Sequence, residues 1–502
     1  MNIHLSNNCK IQTRGKNMKK KWITIVMTWV LVMGMLSFQN AAQAEGLVKE
    51  TLNDSITRVV EEKLAGANVS ITVRDRFSGE AIYDYNGLAP VKPASNMKLL
   101  TTAAALDILG KDYRFNTSLY TSGKISNGIL KGDVYIKGEG DPTLSIEDLQ
   151  QFAEELKAQG IHEIDGRIVG DDRWFEDDLL TQGIWVGDES YYYAAPISAL
   201  TTSPNTDYDS GTIIVETVGT IVGDLPTIKV TPHIGDLQIV NEAQTVEVGK
   251  ANTITIERLH QTNKIVISGN LPVDKTKREW VTVKHPTTHT LTMFQTVLAE
   301  AGIEYSKEKV FQAATPNSAK LIAMKQSMTL EQLLIPYMKL SNNGIADILV
   351  KTMGKVKNNH GSTKAGLQAI REYGNSKDLN MKDWQFEDGS GMSHENRVSS
   401  LLVSELLYQV QGEDWFTTYF TSLPVAANTD RMVGGTLRNR LKDPLTAGKV
   451  YAKTGSLTGV STLSGYLEAG SGQSYIFSVL VQDKSGASTT IDEIVKIIAE
   501  EL

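Results

Sequence analysis

The stretch "KPASNMKLLTTAAALDILG", from Lys92 to Gly110, predicts a helix that is apolar and rich in alanine. Pro93 suits a first helical turn, and leucine and alanine recur after it at helical spacing. Ser95 and Lys98 then lie on one face, with the hydroxyl and the amine within reach of each other. On this stretch alone, the pair is either a nucleophile beside its base or a helix start with a lysine whose stem packs on apolar neighbours.

The N-terminal residues predict export. Three lysines at 19–21 precede the apolar run "WITIVMTWVLVMGML", and small residues end it at Ala42 and Ala44. This order is typical of a secretory signal peptide, here residues 1–44, so we expect the mature protein outside the cytoplasm, in the cell wall or periplasm. The start is either Met1 or Met18, because the residues before Met18 add nothing to the signal. An uncleaved membrane anchor is the alternative, although the run is short for a full span.

Composition excludes several classes of function. The one cysteine, Cys9, precedes the apolar run, so the mature chain has no disulfide, cysteine nucleophile or thiolate metal site. Removal of residues 1–44 leaves 44 basic and 58 acidic residues, a formal net charge of −14. An acidic exported chain is a poor candidate for binding nucleic acid. No second apolar span follows in the sequence, so no integral membrane span is expected after cleavage.

Periodicity along the chain predicts alternating helices and strands. A helix at about 46–65 comes first, and two alternating strands around Ser78 and Gly79 follow it. Short strands and glycine-rich turns begin near Tyr113, with a helix near 146–159, and residues 210–283 are nearly all strand. Helices return after this, and three antiparallel strands and an amphipathic helix close the chain.

These elements predict an α/β (α+β) fold in which both ends of the chain build one domain, an antiparallel sheet flanked by helices. A compact domain does not need 200 extra residues to join two of its helices, so the middle is expected to hold separate inserted modules. The catalytic domain is expected to comprise residues 45–110 and 318–502. Within the insertion, domain II is expected to comprise residues 111–209 and 284–317, and β domain III residues 210–283.

Three short motifs stand in an informative order. Ser-x-x-Lys at Ser95 is weak evidence of function on its own, since a second, wholly polar copy occurs at 306–309. Ser-x-Asn at Ser341 is the one copy placed between predicted helices, in contrast to those at Ser6, Ser203 and Ser268. Lys453-Thr454-Gly455 occurs once, on a predicted strand.

This ordered set resembles the motifs of penicillin-binding proteins and serine β-lactamases. The interval of 243 residues from Lys98 to Ser341 is similar to that of class C low-molecular-mass penicillin-binding proteins of the D-alanyl-D-alanine carboxypeptidase/endopeptidase type (type 4, peptidase S13). Members of that family carry a large insertion of two extra domains, which we expect here to be mainly β. The resemblance extends to three further stretches, "GEGDPTLS" (138–145), "AAPISAL" (194–200) and "DGSGMSHENRVS" (388–399). The middle motif reads Ser-Asn-Asn where members often have Ser-Asp-Asn, and its central residue is not one that the chemistry needs.

The resemblance implies a role for each motif residue. Ser95 attacks the carbonyl of the penultimate D-alanine and becomes acylated, and neutral Lys98 is its base. Burial and a second cation, Lys453, favour the neutral form of that base. Ser341 passes a proton to the leaving amine near Lys453, and the Asn343 amide binds the peptide on the acyl side. No extra carboxylate motif of the class A β-lactamase kind is found, which favours the lysine as base.

The resemblance also implies the ligands. Thr454, Gly455 and Ser456 form the strand that binds the substrate, with the two hydroxyls on its terminal carboxylate. Backbone N–H groups of Ser95 and Ser456 form the oxyanion hole. The expected partners are peptidoglycan stem peptides ending in D-Ala-D-Ala and β-lactam antibiotics, and no cofactor or metal is expected.

A side-chain subsite for the stem peptide is implied less directly. Asp188 in "GIWVGDESYYYAAP" is expected to bind the ammonium group of a diaminopimelate side chain, with Tyr192 lining the pocket. His394 stands where relatives often have arginine, so carboxylate binding there is expected to be weaker and dependent on pH. The alternative is that all three are ordinary loop residues.

Other functions fit the residues less well. No G-x-S-x-G elbow supports a Ser-His-Asp hydrolase, and "HPTTH" at His285 and His289 lacks the glutamate of a zinc protease motif. A serine β-lactamase shares the motifs but does not need the insertion. A non-catalytic penicillin-sensing or wall-binding protein on the same fold is the rival of another class, although a retired site has no reason to keep all five motif residues. Carboxypeptidase against endopeptidase preference, the role of the β domain and oligomeric state stay open.

Overall fold

The computed structural model describes residues 52–176, 179–232, 235–305 and 310–502. The predicted signal peptide at 1–44 and the second Ser-x-x-Lys copy at 306–309 lie outside the described residues. Among the described residues, no helix has the length and apolar character needed to cross a membrane.

The N-terminal section of the chain supplies a helix, a hairpin and the helix of Ser95. Its elements are α1 (helical at 52–63), β1 (Asn68–Asp75), β2 (Ala81–Tyr85), a short 3-10 turn (Ala94–Asn96) and α2 (Met97–Leu109). The hairpin predicted around Ser78 and Gly79 and the helix predicted after Ser95 are both present.

The middle of the chain is rich in strands and carries two long helices. These strands are β3 (Asn116–Thr121), β4 (Lys124–Ser126), β5 (Ile129–Lys131), β6 (Val134–Gly138), β7 (Glu163–Ile164), β8 (Ile168–Asp171), β9 (Thr212–Val218), β10 (Thr227–Thr231), β11 (Gln238–Asn241), β12 (Gln244–Val246), β13 (Thr255–Arg258), β14 (Lys264–Ser268), β15 (Asn270–Pro272), β16 (Thr276–Thr282), β17 (Glu304–Tyr305), β18 (Val310–Gln312) and β19 (Lys320–Gln326). The helices are α3 (Ile146–Ala158) and α4 (Pro286–Glu300).

The C-terminal section begins with helices and ends with three strands and a helix. Its elements are α5 (Leu330–Leu340), α6 (Asn343–Asn358), α7 (Thr363–Ser376), α8 (Ser400–Gln409), α9 (Phe416–Ser422), α10 (Arg431–Gly434), β20 (Val450–Leu457), β21 (Val460–Glu468), β22 (Ser474–Gln482) and α11 (Ser488–Glu501).

Both ends of the chain meet in one antiparallel sheet of order β2-β1-β22-β21-β20. Strand β1 pairs with β22 along its whole length, from Asn68 opposite Gln482 to Asp75 opposite Tyr475. On one face, α1 and α11 bury an apolar core that includes the predicted inward side of the last helix, Ile491, Ile494, Val495 and Ile498. On the other face lies a larger core of helices, which includes α2, α5, α6 and α8. The α/β fold with helices on an antiparallel sheet is therefore confirmed.

The middle residues form two further sets of sheets with their own cores. A five-stranded sheet (β18-β8-β6-β3-β19) and a four-stranded one (β17-β7-β5-β4) pack with α3 and α4. Strand β19 pairs with β3, so this sheet continues to Gln326, beyond the boundary expected at residue 317. Strands β9 to β16 build a separate module with its own apolar core, which we call the β module (210–283). The remaining domain boundaries stay a prediction.

Candidate active site

Ser95 lies in the 3-10 turn that leads into α2, partly exposed, while Lys98 one turn later is fully buried. The turn starts at Ala94, which has the left-handed φ of +46° that costs a residue with a side chain some strain. Neighbouring backbone holds it in place, because a Cβ on Gly391 would lie 1.8 Å from Ala94 O. Buried apolar positions on α2 fix the rest of the helix in the core and thereby the direction of both side chains.

The Lys98 amine meets three oxygen atoms. Its Nζ lies 3.0 Å from Ser95 Oγ, 2.6 Å from Asn343 Oδ1 and 2.7 Å from Ser390 O. The amide and the carbonyl oxygens only accept hydrogen bonds, whereas the serine hydroxyl can donate one. The predicted pairing of Ser95 with Lys98 is therefore present, and Asn343 of the second motif joins it.

Two buried carboxylates lie in the electrostatic surroundings of Lys98, and the sequence did not lead us to expect them. Burial lowers the pKa of Lys98 to about 7, while Asp347 and Asp388 act in the opposite direction. Burial, with Asp388 next, raises the pKa of Asp347 to about 7. A lone acidic residue four positions after Asn343, within the apolar stretch "GIADILV" of α6, was the available signal.

Each carboxylate has a defined backbone partner. Asp347 accepts from the Thr181 hydroxyl at 2.8 Å and from Gly389 N at 3.2 Å. Asp388 accepts from Gly391 N at 2.8 Å and Ser393 N at 2.7 Å, which shapes the loop that presents Ser390 O to Lys98. These residues support the site from behind the catalytic groups.

The Ser-Asn-Asn motif lies in the turn between α5 and α6. Ser341 ends α5 with a left-handed φ of 62°, and Asn342 caps α6 by accepting a hydrogen bond from Ile345 N at 2.9 Å. Asn343, the first residue of α6, points its amide oxygen to Lys98 and donates through Nδ2 to Tyr193 O at 2.9 Å. The other described Ser-x-Asn serines bond elsewhere, Ser203 to Pro142 O and Ser268 to Thr255.

Lys453 brings the third motif to the same place. It is fully buried on β20, and its Nζ lies 2.8 Å from Ser341 Oγ and 2.8 Å from Thr454 O. Burial lowers the pKa of Lys453 well below its usual range, and the nearby charge of Lys98 adds to this. Two buried amines with lowered pKa values thus share one site with two serine hydroxyls.

Strand β20 presents an open edge to Ser95. It is the edge strand of the sheet, and Ala452 N turns away from β21 to donate to Pro424 O. Because alternate residues of a strand repeat this orientation, the backbone groups of Thr454 and Ser456 face the same outer edge. The Thr454 hydroxyl bonds to Thr436 at 2.8 Å, a contact that the sequence did not indicate, and the Ser456 side chain is exposed.

Gly455 permits the close approach of β20 to the Ser95 turn. A Cβ at this position would lie 2.2 Å from Thr462 Oγ1, 2.8 Å from Pro93 O and 3.0 Å from Ser95 N. Real Cβ atoms essentially never lie closer than 3.0 Å to another heavy atom, so a larger residue here would require the strand or its neighbours to shift. The glycine of the third motif is therefore a packing requirement.

The three expected subsite residues lie in a second, more open cluster. Asp188 accepts a hydrogen bond from the Tyr193 hydroxyl at 3.0 Å, and Tyr192 is 44% exposed with its ring edge against Tyr193. His394 stacks on Trp185, with ring centroids 4.6 Å apart, and its Nδ1 lies 3.3 Å from Lys92 Nζ. Lys92 was not anticipated, because it comes from a distant part of the chain, and Trp185 and Tyr193 were not anticipated although they lie in the same stretch as Asp188 and Tyr192.

The electrostatic surroundings of His394 follow from this cluster. Burial and then Lys92 lower the pKa of His394, and Asp188 opposes them. The imidazole is accordingly neutral over a wider pH range than a free histidine.

The alternative zinc motif is not assembled. His289 is buried with its Nδ1 3.0 Å from Asp236 Oδ1, while His285 precedes α4 at its N-cap. Within the described ranges of the chain, no group of three or more histidine, cysteine or acidic side chains is arranged to hold a metal ion.

Comparison with known proteins places nearly the whole chain in one family. A family model described as the D-Ala-D-Ala carboxypeptidase 3 (S13) family matches residues 52–501. A D-alanyl-D-alanine carboxypeptidase from Actinomadura sp. (strain R39) is 35% identical over 481 residues, which cover 95% of this chain and 89% of the relative. The D-alanyl-D-alanine carboxypeptidase DacB of Haemophilus influenzae is 28% identical over 444 residues, covering 87% and 89% of the two chains.

Solved structures show the same fold. Penicillin-binding protein 4 from Haemophilus influenzae superposes with a TM-score of 0.76 at 25% sequence identity, and the match covers 88% of this chain and 98% of that one. The same protein in complex with a β-lactam gives a TM-score of 0.72 at 24% identity, over the same shares.

Proposed function

The chain belongs to the D-Ala-D-Ala carboxypeptidase 3 (S13) family, and from that premise we propose that it is a serine D-alanyl-D-alanine carboxypeptidase that works through an acyl-enzyme on Ser95. Its substrates are peptidoglycan stem peptides ending in D-Ala-D-Ala, and penicillins acylate the same serine. The match to the family and its relatives supports the reaction class, and the arrangement of the site supports the role proposed for each residue.

The hydrogen bonding of Lys98 carries the assignment of the base. A neutral amine has two hydrogens and one lone pair. Two of the three neighbours of Nζ, Asn343 Oδ1 and Ser390 O, can only accept, so they take the two hydrogens. The lone pair is left for the third neighbour, the Ser95 hydroxyl at 3.0 Å. This is the arrangement that proton abstraction from a serine requires.

Acylation follows from these contacts. Ser95 Oγ adds to the carbonyl carbon of the penultimate D-alanine, and its proton passes to Lys98 Nζ. The carbon–nitrogen bond then breaks, and the leaving D-alanine nitrogen takes a proton from Ser341 Oγ. The proton held on Lys98 replaces the one that Ser341 gave up, so that both residues return to their starting protonation. Lys453, 2.8 Å from Ser341 Oγ, stabilises the serine oxygen while it is short of a proton.

Deacylation uses the same base. Lys98, neutral again, takes a proton from a water molecule, whose oxygen adds to the ester carbonyl. The ester bond breaks and the proton returns to Ser95 Oγ. Backbone N–H groups of Ser95 and Ser456 stabilise the oxyanion in both steps, a contribution of about a hundredfold or more in rate for one donor. The hydroxyls of Thr454 and Ser456 hold the terminal carboxylate on the outer edge of β20.

The second cluster is proposed as the subsite for the side chain of the stem peptide. Asp188 supplies a negative charge for the ammonium group of diaminopimelate, and Tyr192 supplies an exposed ring that contacts Tyr193. His394 contributes little positive charge at neutral pH, because burial and Lys92 lower its pKa. The Lys92 ammonium, 3.3 Å from the ring, is the nearer source of charge for a carboxylate.

A cleft on the leaving-group side favours a second activity on larger substrates. It has a volume of about 480 Å³ and runs from Thr454 and Ser456 past the hairpin tip to residues 484–488. A second stem peptide joined to the penultimate D-alanine has room there, so we include endopeptidase action on cross-linked stems in the proposal. The predicted export signal at 1–44 supports a location in the cell wall or periplasm.

The proposed function predicts release of free D-alanine. The mature protein, incubated with a diaminopimelyl-D-Ala-D-Ala peptide, is expected to release one D-alanine per peptide, and Ser95→Ala is expected to release none. Thr101→Ser, a hydroxyl change one turn along α2, serves as the matched control and is expected to retain activity.

Three other results would contradict the proposal. Labelling by a penicillin without release of D-alanine indicates a penicillin sensor or wall-binding protein. Rapid turnover of the penicillin indicates a β-lactamase. Equal D-alanine release by the wild-type protein and Ser95→Ala removes Ser95 from the reaction.

A further inference from the structure

A buried arginine of the β module forms hydrogen bonds to the segment that carries the proposed subsite. This segment, residues 185–194, is called the wall segment. We propose that Arg258 is a positioning residue that holds the wall segment against Asn343 and thereby determines how tightly the side chain of the stem peptide is bound. The inference rests on the proposed function and gives the β module a role in it.

Arg258 is the last residue of β13 and is only 6% exposed. Its guanidinium donates to three backbone oxygens, Nη2 to Glu189 O at 3.0 Å, Nε to Thr282 O at 2.9 Å and Nη1 to Thr262 O at 3.1 Å. Nε and Nη2 also lie 3.2 Å and 3.1 Å from Thr282 Oγ1. Three separate chain segments are tied together by one planar group whose donors have fixed directions. Burial lowers the pKa of Arg258, and Glu189 opposes that effect.

The wall segment is also joined to the β module as if it were an added strand. Tyr191 bridges Val281 of β16, and Thr282 N donates to Ser190 O at 3.1 Å. Arg258 N donates to the Ser190 hydroxyl at 2.8 Å, so backbone and side chain of Arg258 hold adjacent residues of the wall segment. A further contact joins the His260 ring to the Glu189 carboxylate at 2.7 Å.

The other end of the wall segment reaches the catalytic groups. Asp188, next to Glu189, accepts from the Tyr193 hydroxyl at 3.0 Å. Tyr193 O in turn accepts from Asn343 Nδ2 at 2.9 Å, and Asn343 Oδ1 contacts Lys98. A continuous set of contacts therefore runs from Arg258 through the wall segment to the catalytic asparagine.

Loss of the guanidinium removes a donor from Thr282 O, Thr262 O and Glu189 O, of which Glu189 O keeps the Thr282 hydroxyl. A lysine keeps the charge but has one compact ammonium, which cannot bond all three oxygens at once. The wall segment is then free to move relative to Asn343. A penicillin lacks the diaminopimelate side chain that the subsite is proposed to bind, so its reaction with Ser95 serves as an internal reference.

The test compares Arg258→Lys and Arg258→Ala with Arg278→Ala. Arg278 lies on β16 of the same module, is 60% exposed and pairs with Glu216 at the surface, which makes it a matched control. Two peptides are used, a diaminopimelyl-D-Ala-D-Ala peptide and an acetylated D-Ala-D-Ala dipeptide that lacks the side chain. For both Arg258 variants, KM for the first peptide is expected to rise about tenfold, while its kcat, KM for the dipeptide and the penicillin acylation rate stay within about twofold.

Ser190→Ala covers the case in which the Arg258 variants fail to fold. It removes one hydrogen bond without disturbing the buried charge, and a smaller rise in KM for the diaminopimelyl peptide alone is expected. An equal rise in KM for both peptides, or no rise for either, overturns the inference while wild-type activity persists. If the wild-type protein itself releases no D-alanine, the proposed function fails and this inference fails with it.

Discussion

Lys98 shows how opposing effects set the chemistry of one residue. Its amine is fully buried, which favours the neutral form, yet Asp347 and Asp388 favour the charged form. Burial prevails, because the pKa of Lys98 is lowered from 10.5 to about 7. The result is an amine that loses its proton near neutral pH, as the proposed base requires.

The charge balance at Lys98 predicts a shifted pH profile for Asp347→Asn. The acylation rate of the wild-type protein should rise with pH through about 7 and level off above it, because only the neutral amine accepts a proton. Removal of the Asp347 charge disfavours the ammonium form, so the rise should move to lower pH by about one unit. The measurement is the rate of penicillin acylation from pH 5 to 9. Asp383→Asn, at an exposed carboxylate, is the control, and an unmoved or upward-shifted profile for Asp347→Asn would count against this account.

Asn342 has a structural role that its place in the motif does not suggest. The sequence indicated that the central motif residue is dispensable for the chemistry. In the structure its amide oxygen caps α6, while Nδ2 donates to Asp209 Oδ1 at 2.9 Å. Burial, with Asp207 next, raises the pKa of Asp209 to about 7. An amide fits between a helix N-terminus and a carboxylate, whereas an aspartate would face a like charge.

Asn342→Asp should therefore lower stability in a pH-dependent way. Both carboxylates are charged at high pH, so the variant should lose roughly 1–3 kcal/mol there. Because the pKa of Asp209 is raised in the folded state, its ionisation lowers the stability of the protein as the pH rises from about 4 to about 7. A second negative charge at residue 342 makes this loss of stability larger. Thermal unfolding at pH 5 and pH 8 measures it, with a larger fall in Tm at pH 8. Asn342→Ser keeps a capping oxygen and adds no charge but loses the donor to Asp209, so its fall in Tm should differ less between the two pH values than that of Asn342→Asp.

At the scale of elements, β20 and the Ser95 turn must come close enough to bind the carbonyl group of the proposed substrate between them. Gly455 sets this distance, since a Cβ there would collide with Pro93 O and Ser95 N. The sequence identified the glycine as part of a motif, but not the reason for it. The reason is a contact between segments from opposite ends of the chain, which local patterns do not encode.

Gly455→Ala should separate the strand from the serine. Because both proposed oxyanion donors lie at this contact, the penicillin acylation rate should fall about a hundredfold or more. Gly412→Ala, where a Cβ meets nothing within 4 Å, is the control and should leave the rate unchanged. Rates within about twofold of the wild type for Gly455→Ala would show that the strand position is not limiting.

Periodicity predicted the type of most elements because each repeats a local rule. The apolar face of the last helix and the closing strands could be identified from spacing alone. The boundary at 317 was placed too early for the sheet that includes β19, because that strand gains its partner, β3, only through a pairing distant in sequence. Trp185, Lys92 and Thr436 share this limitation, as each meets its partner from another loop.

At the scale of the whole molecule, one sheet built from both chain ends brings the site together. Strand β22 joins β1 to β21, and α2 and α6 pack together in the core on one face of the sheet. Ser95, Ser341 and Lys453 thus converge from three distant regions of the chain. The order of the motifs predicted this convergence, while the buried carboxylates behind it required the coordinates. The β module, which has its own core, contacts the wall segment beside that site.

The most direct test of this account is the position of the covalent bond formed with a penicillin. The mature protein is incubated with benzylpenicillin, digested and mapped by mass spectrometry. One adduct per molecule is expected, on the peptide that contains Ser95, and none is expected in Ser95→Ala. An adduct on any other residue, or an equal adduct in Ser95→Ala, would contradict it.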